Sequence, residues 1–200
     1  QSLLLTAVAE FRKCQAAALK AVTTDSLRQA QLFKARIALA NQCSQLGMMD
    51  SASFYAKAAI RGLSLQPKPL PQNLSIALMT LGVVSQESGD TTSDRSGFFN
   101  TADSCFREVL RIRLNTPDMA PARIGNAHLN LGDLHRAWGH ADTALRHLIQ
   151  AQKYYDLGGN GSAEGQAACA MALSRLHLAQ SRNALAMNSP AHILNAAGVA

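Results

Sequence analysis

Three glycines set the frame for this chain. Gly47, Gly89 and Gly139 each read as the end of one helix-period segment and the start of the next. Seven positions before them stand the small residues Ala40, Gly82 and Gly132, and directly before those Leu39, Leu81 and Leu131. Five positions after Gly47 and Gly139 come Ala52 and Ala144. After Gly89 the matching alanine is Ala102, thirteen positions on, so eight residues are inserted, the length of the polar stretch DTTSDRSG at 90–97. The glycine spacings are 42 and 50 residues, and the second falls to 42 once that insert is removed. A period of this length marks a chain of stacked structural repeats.

Composition says what the units are made of. Apolar residues make up 48% of the chain but aromatics only 5%, with alanine very frequent. Small side chains used so heavily favour close-packed helices over a sheet-built core, which calls for β-branched and aromatic residues. Apolar spacing predicts helices over roughly 2–22, 26–46, 50–65, 71–88, 100–114, 119–138, 141–157, 162–181 and 182–188. Pro67, Pro69 and Pro71, then Pro117 and Pro121, cannot continue a helix crossing them. LGGNG at 157–161 and DTTSDRSG read as connecting loops. A glycine seven residues before a helix end costs about 1 kcal/mol relative to Ala, offset where a second helix crosses closely. Gly132 is expected to face Ala144, and Ala40 to face Ala52.

These residues resemble the tetratricopeptide repeat (TPR), W-x2-L-G-x2-Y followed by A-x3-F and a later Pro. The best copy is His128-x2-Leu131-Gly132-x2-His135, then Gly139, Ala144-x3-Leu148 and Ala151. The second runs Leu78-x2-Leu81-Gly82-x2-Ser85, Gly89, the insert, Ala102-x3-Phe106 and Pro117. The first runs Arg36-x2-Leu39-Ala40-x2-Cys43, Gly47, Ala52-x3-Ala56, Ala59 and Pro67. Ala7-x3-Phe11 with Cys14 looks like the second helix of a truncated earlier repeat, and 165–180 like a further first helix without its glycine. The expected organisation is a partial repeat at 1–25, repeats at 26–69, 70–118 and 119–160, a degenerate repeat at 161–188 and a tail at 189–200. The chain departs from the family pattern in its missing aromatics and in its period, which is more like the long repeats of LGN/Pins, rapsyn and kinesin light chain. The resemblance implies an all-α, right-handed superhelical solenoid of antiparallel helix pairs, its first helices lining a concave groove. It names no ligand and no cofactor.

The helix predicted at 119–138 has two faces. Ile124, Ala127, Leu131, Leu134 and Trp138 form the apolar one, while Asn126, Asn130, Asp133 and Arg136 share the other. In a TPR array the polar face would look into the groove. There Asn side chains can hold the backbone of an extended peptide, and Asp133 and Arg136 choose by charge. Corresponding places offer Lys34, Asn41 and Gln45 in the first repeat, and Ser174 and His177 in the last. The second repeat is more apolar, with Ile76, Met79 and Val83, and suits a ligand's hydrophobic side chain. The competing reading of any such face is plain solvation.

His128, His135, His140 and His147 raise the possibility of a metal. Zinc on a helix takes ligands at i and i+4. His128 and His135 are two turns apart, about 10 Å along the axis, and both occupy places where the repeat puts bulky aromatics, so packing is the expected role. There is no G-x-S-x-G, P-loop, G-x-G-x-x-G or paired Cys–His cluster, and catalysis is not expected. Cys14, Cys43, Cys105 and Cys169 make no C-x-x-C pair and read as buried thiols of a cytoplasmic protein. Net charge is +6, but the 19 basic residues are scattered, which disfavours nucleic acid. No apolar run is long enough to span a membrane. The chain begins at Gln1 within a helical pattern, without Met or a signal-peptide profile, and reads as a segment of a longer protein. The expected function is a non-catalytic adaptor that binds a peptide or helix of a partner protein. The alternatives are a structural piece of a larger solenoid and a basic surface for acidic partners.

Overall fold

The computed structural model describes residues 25–66 and 70–187, with a few isolated positions before them. The expected partial repeat with Ala7, Phe11 and Cys14, the break at Pro67 and Pro69, and the tail at 189–200 lie outside the described residues. Those described form seven α-helices: α1 (Asp25–Gln45), α2 (Met49–Ser64), α3 (Pro71–Asp90), α4 (Ser96–Leu114), α5 (Pro121–Trp138), α6 (Ala141–Leu157) and α7 (Ala163–Met187). A short 3₁₀ turn, Gly159–Ser162, joins α6 to α7, and there is no strand among the described residues. The chain divides into two compact units, Gln1–Met119 and Ala120–Ala200.

The turns between helices follow from glycine and proline. Gly47 (φ +71°) and Gly139 (φ +90°) take the left-handed conformation that L side chains resist. Each closes its helix with the same two backbone bonds. Gly139 N–H donates to Arg136 C=O (3.2 Å) and His140 N–H to His135 C=O (2.8 Å); Gly47 N–H donates to Ser44 C=O and Met48 N–H to Cys43 C=O, both 2.8 Å. This is the Schellman closure of a helix end. Pro71 and Pro121 open α3 and α5 at the first turn, where a missing N–H costs no helical bond.

Gly89 behaves differently from its expected role. It lies inside α3, which continues to Asp90, and α4 begins at Ser96 rather than near 100. Of the eight inserted residues, 91–95 remain as loop, and Asp90, Ser96 and Gly97 have joined the flanking helices. The added turn of α4 brings Phe99, fully buried, against Gly89, where a Cβ would stand 2.6 Å from the ring. The predicted break near 181–182 is also absent: α7 runs unbroken to Met187.

Each pair is antiparallel, with a consistent crossing. Gly132 lies under Leu148, not under the Ala144 side chain; Gly82 lies under the ring of Phe106; Ala40 shares its cluster with Ala56, while Ala52 packs with Cys43. The contact has moved by four residues from the alanine to the position after A-x3, because helical side chains lean toward the N-terminus and cover the preceding turn. Size is conserved across the crossing. Glycine opposes Phe106 or Leu148, whereas alanine opposes alanine.

The sequence period reappears as lateral register. In the first unit Phe33 clusters with Ala77, Ala40 with Leu81 and Cys43 with Val84, and Ser44 hydrogen-bonds Glu87. These partners lie 41 to 44 residues apart, so α1 and α3 run parallel, side by side. In the second unit Tyr155 helps join α5 to α7. Tyr155 of α6 is fully buried between Gly125 of α5 and Gly165 of α7; a Cβ on Gly165 would run into the ring, and one on Gly125 would press tightly against it. Around it Leu148, Ala151, Cys169, Ala172 and Leu176 form one core.

Candidate protein-interaction face

On α5 the apolar prediction corresponds to burial: Ala127, Leu131 and Leu134 are buried completely and Ile124 nearly so, while Trp138 is only half-buried. The polar residues lie on the other side of the helix. Asn126 is exposed, and Asn130, Asp133 and Arg136 are half-buried. Each makes a local bond. The Tyr155 hydroxyl donates to Asn126 Oδ1 (2.5 Å), Asn130 Nδ2 donates to the Asn126 carbonyl (2.8 Å), and Arg136 Nε donates to Asp133 Oδ1 (3.2 Å). The first bond ties the face to the core, because the ring that carries the hydroxyl is the one packed between Gly125 and Gly165. The ion pair is about 30% exposed on both partners, so it fixes side-chain position more than it stabilises the fold.

On α7 Ser174 and His177 are exposed, and Ser174 Oγ donates to the Ala170 carbonyl (2.9 Å). In the first unit Lys34, Asn41 and Gln45 are exposed on α1, while Met79 and Val83 are half-buried on α3. The parallel register of α1 and α3 puts Asn41 and Val83 at matching positions of the period, 42 residues apart. Each unit therefore presents its own set of predicted residues: Lys34, Asn41, Gln45, Met79 and Val83 in one, Asn126, Asn130, Asp133, Arg136, Ser174 and His177 in the other.

Two features were missed at the level of sequence. The Tyr155–Asn126 bond joins residues 29 apart; its visible signal is an aromatic residue flanked by glycines 30 residues before and ten after. The histidine contacts form the second, because spacing along one helix does not show partners that lie beyond it. His128 Nδ1 meets His147 Nδ1 at 3.1 Å, and His135 Nδ1 meets His140 Nδ1 at 3.3 Å. His128 and His135 are buried, as the packing role requires, and burial lowers the pKa of His128. No group of three or more His, Cys, Asp or Glu side chains suited to a metal occurs among the described residues.

A hollow of about 460 Å³, lined by Gln150, Lys153, Tyr154, Asp156 and Leu157, opens on α6. It belongs to the second helix of its pair and includes none of the predicted residues. Among the described residues, no helix is long and apolar enough to cross a membrane.

No protein-family model matches this chain, and no curated protein matches it. Among solved structures, the crystal structure of BtubC (BKLC) from P. vanneervenii is similar over 94% of this chain and 94% of that one, at 14% sequence identity and a TM-score of 0.40.

Proposed function

We propose that this chain is a TPR-like, non-catalytic adaptor that holds an extended peptide or a helix of a partner protein against the first helices of its repeats, in the cytoplasm. The observation that carries this reading is the division of labour on α5. Its glycines and leucines are consumed by packing, while Asn126, Asn130, Asp133 and Arg136 keep polar atoms at the surface and are held by local bonds. Held side chains lose less entropy on binding. Asparagine amides can pair with a peptide backbone, the Asp133–Arg136 pair sorts by charge, and Met79 with Val83 offers an apolar seat.

The test is a pull-down with this chain, followed by affinity measurements for each captured protein against Asn130→Ala and Arg136→Glu. A groove ligand should lose about tenfold or more in affinity, or roughly 1.4 kcal/mol. Affinities unchanged by both substitutions would sink the proposal.

A second reading, a segment of a longer solenoid, is favoured by Met171 and Leu178 on α7, which are 55% and 53% exposed. Under it, the two surface substitutions leave binding unchanged, while Leu178→Glu destabilises the longer protein. A basic-surface role would instead show a steep loss of affinity with salt.

A further inference from the structure

Four of the six histidines converge between α5 and α6. The ring centroids of His128 and His147 are 5.3 Å apart, and those of His135 and His140 are 5.5 Å apart. These values exceed the Nδ1···Nδ1 distances of 3.1 and 3.3 Å by about two ring radii, so the paired nitrogens point at one another. His147 also stacks on His135, at 5.9 Å and 4° between planes, which joins the two pairs into one ladder. Tyr154 stacks on His128 at 5.6 Å, and Trp138 stacks on His135 and His140 at 5.9 and 5.1 Å.

Facing nitrogens at this distance have a simple proton requirement. One must carry a hydrogen and the other a lone pair. Each pair can therefore hold two neutral rings, or one neutral ring and one cation. Two cations would set N–H against N–H with no acceptor between them. A metal shared by two nitrogens would sit off that line and need both lone pairs turned toward it, whereas these nitrogens point at one another, and no group of three or more His, Cys, Asp or Glu side chains suited to a metal occurs among the described residues.

We propose that this ladder is a proton-sensitive latch: it closes the α5–α6 pair while each histidine pair keeps a neutral ring, and opens it when both rings of a pair are protonated. The two pairs differ in setting. His135 is buried in the last turn of α5, and His140 is exposed at the N-cap position of α6. His128 and His147 meet between the helices, and His128 is buried, so desolvation resists charge there.

Charged and polar groups of α5, α6 and α7 lie around the ladder, Arg123 near the start of α5 among them. Asp133 pairs with Arg136 on α5, and Arg146 of α6 bonds Thr143. Asp142 is exposed in the first turn of α6, and Lys153 and Asp156 are exposed farther along it. Tyr154 offers its ring face, and α7 brings Cys169, whose thiol donates to the Leu148 carbonyl at 3.2 Å.

The experiment is thermal and denaturant unfolding of the whole chain between pH 8 and 5, beside His128→Phe/His147→Phe, with histidine titration by NMR. The unfolded chain takes up protons near the ordinary histidine pKa of about 6.5. The folding constant should fall up to tenfold per pH unit for each proton the ladder excludes. The double variant should lose that part of the slope, since phenylalanine fills the aromatic places without titrating. If it does not fold, the NMR titration decides. Two rings of a pair titrating at clearly separated pH values support the latch, whereas four histidines titrating independently near 6.5 overturn it. An unfolding slope identical in the wild type and the variant overturns it as well.

Discussion

Gly132 of α5 and Leu148 of α6 occupy what is effectively one side chain's space: a Cβ on Gly132 would stand 2.6 Å from Leu148 Cδ2 and 2.7 Å from its Cγ. Leu148 is fully buried, so the collision involves the branch point of a leucine with nowhere to turn. The same relation holds between Gly82 and Phe106, and in relaxed form between Ala40 and Ala56.

Gly132→Ala should therefore destabilise the second unit despite alanine's better helix propensity, by about 1–2 kcal/mol net. Leu148→Ala alone should cost about 2–5 kcal/mol. Combined, the two recreate the Ala40–Ala56 arrangement, and the double variant should be more stable than the sum predicts, by about 0.5–3 kcal/mol. Denaturant melts of the four proteins measure this. Strict additivity would show that the two residues do not share the crossing.

Tyr155 offers a second test. Tyr155→Phe removes the bond to Asn126, whose exposed amide can turn to water, so the expected loss from that bond is about 1 kcal/mol. Gly165→Ala drives a Cβ into the ring itself and should cost more than Tyr155→Phe. The reverse order in unfolding midpoints would contradict the packing described.

Gly47 and Gly139 should respond to substitution even though no neighbour stands in the way of a Cβ there. Gly47→Ala and Gly139→Ala place a Cβ in the left-handed region, at about 1–2 kcal/mol each. Gly97, in the first turn of α4, has open space around it and no positive φ. Gly97→Ala should leave stability unchanged or raise it by up to about 1 kcal/mol. Thermal melts that rank Gly97→Ala beside the other two would refute the assignment of the caps.

The cysteines predict a pH dependence at the alkaline end. Burial pushes the Cys105 thiol from 9.0 to about 11, and raises Cys43 and Cys169 as well. Below pH 9 both folded and unfolded chains keep the Cys105 proton, and its contribution to stability is complete. Above pH 9 the unfolded chain releases it first, so that contribution is lost as pH rises toward 11. In Cys14→Ser protein, alkylation at pH 8 should proceed only as fast as the chain opens, and Cys105→Ala should flatten the stability profile between pH 9 and 11. Rapid labelling of the native variant would show that the thiols are accessible.

Much of this architecture was legible from residue types. Helix ends at Gly47 and Gly139, the start at Pro71, and the buried Leu39, Leu81 and Leu131 follow from backbone conformation and apolar spacing, which are local properties, whereas the next helix begins at Pro121 and not at 119. The face carrying Asn130 and Arg136 was also visible, since helical periodicity alone separates it from Leu131 and Leu134. Gly89 departs from the repeat pattern, in which each such glycine marks a turn. Phe98 and Phe99 instead supply a further turn of helix that packs on it, a contact between residues in different helices.

Sequence periodicity thus carried the helices, their order and their buried and exposed faces, because those depend on φ, ψ preferences and spacing within one segment. The pairing across helices was set in three dimensions: Leu148 rather than Ala144 over Gly132, Tyr155 between Gly125 and Gly165, and four histidines nitrogen to nitrogen. The rotation of one helix about its own axis against its neighbour chooses those partners, and side-chain volumes on both helices fix that rotation together.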